Sequence, residues 1–431
     1  MIAGAASSRT IVVAGGGAVG LAIARALSLP SNEVVVIERN AAAGMEASAR
    51  NSEVVHAGIY YGHASLKREA CVGGKKLLYS YLDQNGIPYK KTGKIIVATN
   101  ENEAASLQGI IDQATRNGVD DLRMLSKEDI SVLEPNVKGI RGIISPSTGI
   151  FDSSAYILQL LADADGSIVY NCAVTSVGVK GRASSSSSSA GGVGGNKFVV
   201  ETTQGAILCD VFINATGAGA IALASTIEGY PVETLPLQYY AKGSYFKLSP
   251  SADAPVFRHL VYPLPSEGGL GVHATLDLRG KVRFGPDVEW LRAQGSAGFV
   301  HEDGLMALEA PSLYCVDEGR AQAFYEAIRR YCPSLKPDSL VADYAGIRTK
   351  LIGPLGVAGL RDDYKLYSRR LRVDNDSSIE VTYSDFMVDG PVAHGIRGLY
   401  SLFGVESPGL TSSLFLAELV RKMVHLDSKS T

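Results

Sequence analysis

The chain has 431 residues, of which 46% are hydrophobic and 20% are charged, and its formal net charge is −3 at pH 7. This length allows two domains with a large buried core, whereas the near-neutral charge argues against a nucleic-acid partner and against electrostatic binding to a membrane. The five cysteines are scattered without a C-x-x-C pair and no apolar run reaches the length of a bilayer-spanning helix, so neither a metal site, a disulfide framework nor a transmembrane segment is predicted.

The first predicted element lies in the stretch IVVAGGGAVGLAIARAL, which carries no charge over positions 11–24. That length suits the core of a signal peptide but is too short to span a bilayer. A signal peptide also needs a basic segment ahead of the apolar run, and only Arg9 is basic there. The spacing of Gly15, Gly17 and Gly20 instead forms the G-x-G-x-x-G pattern of a dinucleotide-binding turn.

This pattern predicts a strand, a turn and a helix that together hold a pyrophosphate. A buried strand over 11–14 ends in a tight turn at Gly15, and the missing side chain of Gly17 lets the pyrophosphate approach the N-terminus of a helix over Ala18–Leu29. The next predicted strand, EVVVIER, carries Glu38 near its end, where a carboxylate can accept hydrogen bonds from a ribose. The sequence therefore predicts a Rossmann-like domain that binds a dinucleotide.

A low-complexity segment, GRASSSSSSAGGVGGNK, spans residues 181–197 between two strand-like stretches. Serine and glycine cannot bury enough apolar surface to order themselves, so the segment is predicted to be flexible. We interpret it as an insertion in a β-hairpin, because the stretches on both sides look like parts of one sheet. A linker between two domains is the alternative.

A second nucleotide-contacting turn is predicted far from the first, in CDVFINATGAGA. The buried strand Val211–Asn214 runs into the small residues Ala215, Thr216 and Gly217, which allow a ligand to approach the backbone. Two such turns so far apart are typical of an FAD domain built from separated segments, rather than of a compact NAD half-domain. Val174, in an earlier predicted strand, is expected near the adenine end of the cofactor.

Several β-rich segments are not separated by crossover helices, so they predict an antiparallel sheet. These segments span residues 89–100, 238–250, 258–265, 268–276 and 281–290. The predicted fold is mixed α/β, with a discontinuous Rossmann-like FAD-binding domain and an antiparallel-sheet substrate domain. The predicted bounds are 8–88, 140–222 and 338–431 for the first domain, and 89–139 and 223–337 for the second.

Motifs along nearly the whole chain resemble those of the D-amino-acid oxidase-like superfamily of FAD oxidoreductases, and most closely its L-2-hydroxyglutarate dehydrogenase-like members. The motifs that carry the resemblance are NSEVVHAGIYYGHASLKREACVGGKKLLY (51–79), TGKIIVAT (92–99), GLGVHATLDLRGKVRFGPDVEW (269–290), AGIRTKL (345–351) and ESPGLTSSL (406–414). The resemblance implies bound FAD and hydride transfer to it from the α carbon of a 2-hydroxy acid, with L-2-hydroxyglutarate giving 2-oxoglutarate. It also implies an electron acceptor, for which a quinone, an electron-transfer flavoprotein and oxygen are the open alternatives.

The same resemblance implies which residues surround the cofactor. They are Gly15, Gly17, Ala18, Val19, Gly20, Glu38, Arg39, Asn51, Ser52, Val174, Ala215, Thr216, Gly217, Gly346, Ser407, Pro408, Gly409, Leu410 and Thr411. Within this set, Arg39, Asn51 and Ser52 are expected near the phosphates and the isoalloxazine, and the segment 407–411 is expected to close around the cofactor.

Arg348 occupies the position at which the resembling proteins hold the substrate carboxylate. The residue type agrees with this role, because a planar guanidinium binds a carboxylate through two parallel hydrogen bonds. The alternative is that Arg348 forms a structural ion pair.

Oxidation of an alcohol carbon also requires a base for the hydroxyl proton, and histidine suits that role. His56 lies in the apolar run EVVHAGIYY, just after the segment expected to pass the flavin, and we expect it to be the base. His273, on a strand expected to cover the flavin, is the alternative. Tyr60, Tyr262 and Lys242 are expected to line the substrate pocket, with Lys242 suited to a second, distal carboxylate.

Two other functions fit the same motifs. One is an oxidase of the same superfamily that acts on an amino acid or glycerol 3-phosphate and releases peroxide. The other is a flavin- or NAD-binding protein without catalytic activity. The resemblance implies a mitochondrial location in a eukaryote, but Arg9 as the single basic residue before the first strand is poor for a transit peptide, so a cytoplasmic location is the alternative.

Overall fold

The computed structural model describes the chain except for residues 1–7, 63–64, 165, 181–195, 250–254, 265–270, 295–297, 302–303, 308–309, 352–367, 373–377, 383–384 and 430–431. The α-helices of the described residues are α1 Ala18–Leu27, α2 Leu66–Gln84, α3 Glu101–Arg116, α4 Lys127–Leu133, α5 Ser153–Asp163, α6 Ala220–Ala224, α7 Ala321–Arg329, α8 Pro391–His394 and α9 Gly409–Lys429.

The strands of the same residues, in chain order, are β1 Arg9–Ala14, β2 Asn32–Ile37, β3 Val54–Val55, β4 Tyr89–Lys90, β5 Lys94–Ala98, β6 Arg123–Ser126, β7 Arg141–Ser145, β8 Gly149–Phe151, β9 Ser167–Val169, β10 Val174–Lys180, β11 Lys197–Thr202, β12 Gly205–Cys209, β13 Val211–Asn214, β14 Tyr239–Leu248, β15 Leu260–Pro263, β16 Ala274–Leu276, β17 Val282–Phe284, β18 Glu289–Gln294, β19 Gly298–His301, β20 Gly304–Ala307, β21 Leu340–Lys350, β22 Ser368–Arg372, β23 Ser378–Thr382, β24 Met387–Asp389 and β25 Leu399–Phe403.

A six-stranded sheet forms the Rossmann-like part of the molecule, in the order β24-β25-β13-β1-β2-β9. Its strands pair in parallel except for the edge strand β24, which is antiparallel to β25. The apolar residues at 11–14 of β1 are completely buried, and burial of each valine or isoleucine side chain contributes about 1.5–3 kcal/mol. The neighbour of β1 is β13, so the sheet brings the two predicted nucleotide-contacting turns side by side.

Helix α1 begins where the glycine pattern predicts but ends at Leu27 instead of Leu29. Pro30 follows closely in the sequence, and a residue before proline is disfavoured in helical geometry. The Ser28 backbone amide donates a hydrogen bond of 2.9 Å to the Ala24 carbonyl, which satisfies one of the last carbonyl groups of the helix.

The predicted β-rich segments come together in an 11-stranded sheet, of order β20-β19-β18-β14-β17-β16-β15-β5-β7-β6, with β21 paired to β14. Most of its pairs are antiparallel, as predicted. The expectation of a purely antiparallel sheet is wrong at one place, because β5 and β15 pair in parallel from Lys94↔Leu260 to Val97↔Pro263.

The predicted domain bounds need two corrections. Strand β7 was predicted to lie in the FAD-binding domain, but it pairs with β5 and β6 of the large sheet. Strand β21 was predicted in the same domain, but it pairs antiparallel with β14 over nearly its full length. In both cases the strand that supplies the hydrogen-bonding partner decides the assignment, and for β21 that partner, β14, is distant in the sequence.

Residues 181–195 of the Ser/Gly-rich segment 181–197 lie outside the described residues, and its last residue, Lys197, begins β11. The strands on either side, β10 and β11, pair antiparallel with Lys180 opposite Lys197, and β11 pairs in turn with β12. Two strands joined in this way form a hairpin, so the pairing favours the hairpin insertion over an interdomain linker.

Replacing residues 181–196 with Asn-Gly should leave the flavin content and the turnover number unchanged within about twofold. Lys180 and Lys197 are already directly opposite each other, and Asn-Gly is the turn that closes such a pair most readily. Flavin absorbance per chain and steady-state rates check this expectation. A large loss of either quantity would mean that the segment contacts the active site or a partner.

In the part of the chain that the structure describes, no helix combines the length and the apolar character needed to cross a membrane.

Candidate active site

A groove of about 1010 Å³ runs between the parallel sheet and the large sheet. Its lining includes the glycine-rich turn and Val174, and also His56, Tyr262 and Arg348. Sites for one small ligand span about 300–1,000 Å³. The groove therefore has room for an extended cofactor with a small substrate at one end.

The three fingerprint glycines have the geometry that their spacing predicts. Gly15 has φ +105°, and a Cβ placed there would lie 2.5 Å from the carbonyl oxygen of Ala215. A Cβ on Gly20 would lie 1.9 Å from the Gly15 carbonyl oxygen, so only glycine allows the helix to pack against the turn. A Cβ on Gly17 would meet only Ser48 Oγ, at 3.1 Å, and Gly17 lines the groove. These glycines thus fit a dinucleotide whose pyrophosphate approaches at Gly17.

Glu38 is 6% exposed, and its carboxylate already has protein partners at the wall of the groove. Oε2 accepts a hydrogen bond of 2.7 Å from the Gly16 amide, and Oε1 accepts bonds of 2.8 Å from the backbone and side-chain amides of Asn40. Arg39 also lines the groove and pairs with Glu46 at 2.6 Å. Glu38 therefore fixes the first turn to the end of β2 as well as facing the expected ribose position.

Sequence reasoning missed Ser48, whose Oγ accepts a hydrogen bond of 3.0 Å from the Ala18 amide at the start of α1. It follows a short irregular segment, and no sequence pattern singled it out. The neighbouring Asn51 side chain holds this segment in shape, since it donates to the Ser48 carbonyl at 2.6 Å and accepts from the Glu53 amide at 2.8 Å.

His56 is contacted at its backbone by Thr411 and at its ring by Ser407. Its backbone amide donates a hydrogen bond of 3.1 Å to Thr411 Oγ1, and the Thr411 hydroxyl donates one of 3.2 Å to the Val54 carbonyl. Its ring Nε2 lies 3.4 Å from Ser407 Oγ, a contact at the long limit of hydrogen bonding. A substrate hydroxyl can replace so weak a partner, while Thr411 holds the backbone in place.

The imidazole of His56 is neutral in this environment. Burial, followed by the positive charge of Lys94 and by His273, lowers the pKa of His56 to about 3. The ordinary value is about 6.5. A proton acceptor is thus available on the ring throughout the physiological pH range.

An aromatic cluster with a buried cation lies close to His56 in the groove. The rings of Tyr262 and His273 stack with centroids 3.6 Å apart and an interplanar angle of 9°. Lys94 Nζ lies 4.6 Å from the ring centroid of Tyr262 and 5.5 Å from that of Tyr60. All of these residues line the groove, so the structure brings together His56, His273, Tyr60 and Tyr262 as the sequence predicts.

Arg348 lies on β21 with its guanidinium at the groove wall. Its Nη2 donates a hydrogen bond of 2.6 Å to the Asp287 carbonyl, and no carboxylate pairs with it among the described residues. The alternative of a structural ion pair is therefore not favoured. A Cβ on Gly243 would lie 2.7 Å from Arg348 Nη2, so this glycine makes room for the guanidinium.

A buried ionic cluster that sequence reasoning missed lies beside Arg348. Glu406, whose side chain is 12% exposed, pairs with Lys67 at 3.1 Å and with Lys350 at 2.7 Å. Burial by itself would raise the pKa of Glu406, but the two lysines and then Arg348 hold it below its ordinary value. This ionised carboxylate neutralises part of the positive charge and anchors the segment that carries Ser407.

Lys242 does not lie where the sequence predicts. It is 3% exposed but does not line the groove. Side chains alternate across a strand, and on β14 it is the neighbouring Gly243 that approaches Arg348. Lys242 lies opposite Glu289 on β18. A buried lysine that does line the groove is Lys94. The sequence feature that could have indicated it is a charged residue at the start of the otherwise apolar strand KIIVA.

Gly20 and Gly346 are the two predicted cofactor residues that do not themselves line the groove. A Cβ on Gly346 would lie 2.5 Å from the Arg50 carbonyl oxygen, so its glycine is required by packing next to the groove. The other predicted cofactor residues line it, namely Gly15, Gly17, Ala18, Val19, Glu38, Arg39, Asn51, Ser52, Val174, Ala215, Thr216, Gly217, Ser407, Pro408, Gly409, Leu410 and Thr411.

Comparison with known proteins gives consistent matches. The sequence model of the family "FAD dependent oxidoreductase" matches residues 10–423. The chain is 38% identical to the mitochondrial L-2-hydroxyglutarate dehydrogenase of Arabidopsis thaliana, over 94% of this chain and 81% of that protein. It is 30% identical to the mitochondrial L-2-hydroxyglutarate dehydrogenase of Homo sapiens, over 96% of this chain and 88% of that protein.

A similar solved structure is the dithionite-reduced L-α-glycerophosphate oxidase of Mycoplasma pneumoniae with FAD bound. The TM-score is 0.73 at 22% sequence identity, and the match covers 97% of this chain and 95% of that one. This similarity shows that the two chains share a fold.

Proposed function

Because this chain belongs to the FAD dependent oxidoreductase family, we propose that it oxidises a 2-hydroxy acid, with L-2-hydroxyglutarate as substrate and 2-oxoglutarate as product. The similarity to two L-2-hydroxyglutarate dehydrogenases over nearly the whole chain carries this assignment. The groove supports the reaction type, since a neutral imidazole and a guanidinium that forms no direct ion pair among the described residues both line it.

The bound FAD supplies the hydride acceptor. His56 takes the hydroxyl proton on Nε2 while the α C–H bond breaks, so that the carbonyl forms as the hydride leaves with both electrons. Arg348 binds the carboxylate next to the reacting carbon through the N–H donors that Asp287 does not use. Thr411 fixes the backbone of His56 at the groove wall by accepting a hydrogen bond from its amide.

Arg348→Lys should lower kcat/KM for L-2-hydroxyglutarate by about 10- to 100-fold while FAD remains bound. Lysine keeps the positive charge but loses the planar pair of donors, and a charge-assisted hydrogen bond contributes about 1.5–3 kcal/mol. The measurements are steady-state kinetics and flavin content. Arg421→Lys, which changes a half-exposed arginine paired with Glu418 on α9, is the matched control. Unchanged kinetics in Arg348→Lys would move the carboxylate site elsewhere.

The proposed function is tested directly by product analysis. The purified holoenzyme, given L-2-hydroxyglutarate and an artificial electron acceptor, should form 2-oxoglutarate and reduce the acceptor in a one-to-one ratio. The absence of 2-oxoglutarate would contradict the assignment. Peroxide formed in air in the same ratio would identify oxygen as the natural acceptor, and its absence would leave a quinone or an electron-transfer flavoprotein.

A mitochondrial location is proposed as well, since both relatives carry that location in their names. Fractionation of the native cells tests it.

A further inference from the structure

We propose that Lys94 binds the distal carboxylate of a dicarboxylic substrate and thereby makes the enzyme selective for dicarboxylic over monocarboxylic 2-hydroxy acids. This inference rests on the proposed function and specifies which part of the groove recognises the substrate's second charge.

The first observation is that Lys94 is a buried cation without an anionic partner. It is 2% exposed, yet it lines the groove. No carboxylate in the described part of the chain forms an ion pair with it. A buried charge normally requires a partner, and here the rings of Tyr262 and Tyr60 lie 4.6 and 5.5 Å from its ammonium group, with the Cys71 thiol as a further neighbour.

The second observation concerns the other lysines of the groove. Lys67 and Lys350 both pair with Glu406, so their charges are largely compensated. Lys94 and Arg348 form no direct ion pair with a carboxylate among the residues described, although Glu406 attracts Arg348 at longer range. A substrate with two carboxylates can therefore form direct ion pairs with two cations for which the described part of the protein provides none.

The third observation is the aromatic wall between these two cations. Lys94 Nζ lies over the Tyr262 ring. Tyr245 also lines the groove. Burial raises the pKa of Tyr262, and the nearby Tyr245 phenol raises it further. Tyr245 is in turn close to Arg348 and hydrogen-bonded to Ser52. This wall of Tyr262 and Tyr245 fits the methylene chain that joins the two carboxylates of the substrate.

The charge state of Lys94 is compatible with this role. Burial lowers its pKa to about 8, so the ammonium form still predominates at pH 7. A bound carboxylate stabilises the charged form further. The same charge lowers the pKa of His56, so a carboxylate on Lys94 also weakens that effect on the base.

The test compares L-2-hydroxyglutarate with L-2-hydroxyvalerate, which has the same carbon chain but lacks the second carboxylate. Wild-type holoenzyme should prefer the dicarboxylate by about 10- to 100-fold in kcat/KM, the range expected for one charge-assisted contact. Lys94→Met keeps the length and apolar stem of the side chain. It should bring the two kcat/KM values within about threefold of each other, mainly through a higher KM for L-2-hydroxyglutarate.

A binding measurement provides a readout that does not depend on turnover. Perturbation of the flavin spectrum should show that 2-oxoglutarate binds Lys94→Met about 10- to 100-fold more weakly than wild type, whereas 2-oxovalerate binds both equally. Lys242→Met is the matched control, because Lys242 is a buried lysine of the same sheet that does not line the groove. It should keep the wild-type preference.

Three outcomes overturn the inference. One is a Lys94→Met enzyme that keeps its preference for the dicarboxylate. Another is an equal loss on both substrates, which would place Lys94 at the reacting end. The third, which needs no variant, is a wild-type enzyme that oxidises both substrates equally well. If Lys94→Met does not fold, Lys94→Gln replaces it in these experiments. Wild-type enzyme that oxidises no 2-hydroxy acid would instead contradict the proposed function itself.

Discussion

His56→Gln should slow anaerobic reduction of the bound flavin by L-2-hydroxyglutarate by about two to four orders of magnitude, the usual contribution of a general base. Glutamine has a similar size and keeps a polar end beside Ser407, but it cannot accept the hydroxyl proton. The FAD content should be unchanged, because the Thr411 hydroxyl bonds to the backbone amide of residue 56 rather than to its side chain. Stopped-flow absorbance of the flavin band measures the rate.

His273→Gln is the internal control for this prediction. Its ring stacks on Tyr262 at the pocket wall, so its replacement should weaken substrate binding more than it slows reduction. If His273→Gln reduces slowly and His56→Gln reduces normally, the two roles are reversed. If neither variant is slow, the base is not a histidine of these two motifs.

The pH dependence gives a second readout for His56. Its pKa in the free enzyme is lowered to about 3, so the ring is unprotonated at every pH well above that value. We therefore expect kcat/KM to show no acidic limb near 6.5, the usual value for histidine, and to remain flat between about pH 5 and pH 7. A limb near 6.5 that disappears in His56→Gln would show that the groove does not hold the ring neutral.

Gly17→Val should abolish FAD binding while the protein still folds. Gly17 has φ −80°, which valine adopts readily, and the added Cβ meets only Ser48 Oγ within the protein. The branched side chain would instead occupy the space through which the pyrophosphate approaches the start of α1. Circular dichroism should match wild type, and the purified variant should lack the flavin absorbance bands.

The control for this variant is Gly109→Val, since Gly109 lies in α3 with no heavy atom within 4 Å of an added Cβ. It should retain FAD at the wild-type level. A Gly17→Val protein that purified with one FAD per chain would contradict the assignment of the glycine pattern as the pyrophosphate site.

The cofactor half of the groove could be predicted from sequence because its determinants are local. The spacing of Gly15, Gly17 and Gly20 is set by contacts within one turn and one helix, and the strand Val211–Asn214 has the predicted bounds. A parallel sheet then brings these two segments together at the carboxyl ends of neighbouring strands. No long-range information beyond the choice of fold was needed.

The substrate half could be predicted only in part, because it depends on how distant strands pair. Lys94 and Lys242 both lie in apolar strands, and the sequence does not show which of them faces the groove. That choice is made by the parallel pairing of β5 with β15 and by the antiparallel pairing of β14 with β21. A register shift of one residue would exchange the two faces of a strand.

Glu406 illustrates the same limit for charged residues. Its place in the motif ESPGLTSSL was visible, but its two lysine partners are separated from it by 339 and 56 positions. Such a cluster arises only when the segments meet in the folded chain, so sequence spacing could not reveal it.

The central claim is that the groove binds FAD and uses it to oxidise L-2-hydroxyglutarate. The most direct measurement is the anaerobic absorbance of the purified yellow holoenzyme after addition of L-2-hydroxyglutarate, a panel of amino acids or glycerol 3-phosphate, in separate cuvettes. We predict rapid bleaching of the flavin band by L-2-hydroxyglutarate and none by the other compounds on the same timescale. Bleaching by an amino acid or by glycerol 3-phosphate alone, or by none of the compounds, would contradict this account.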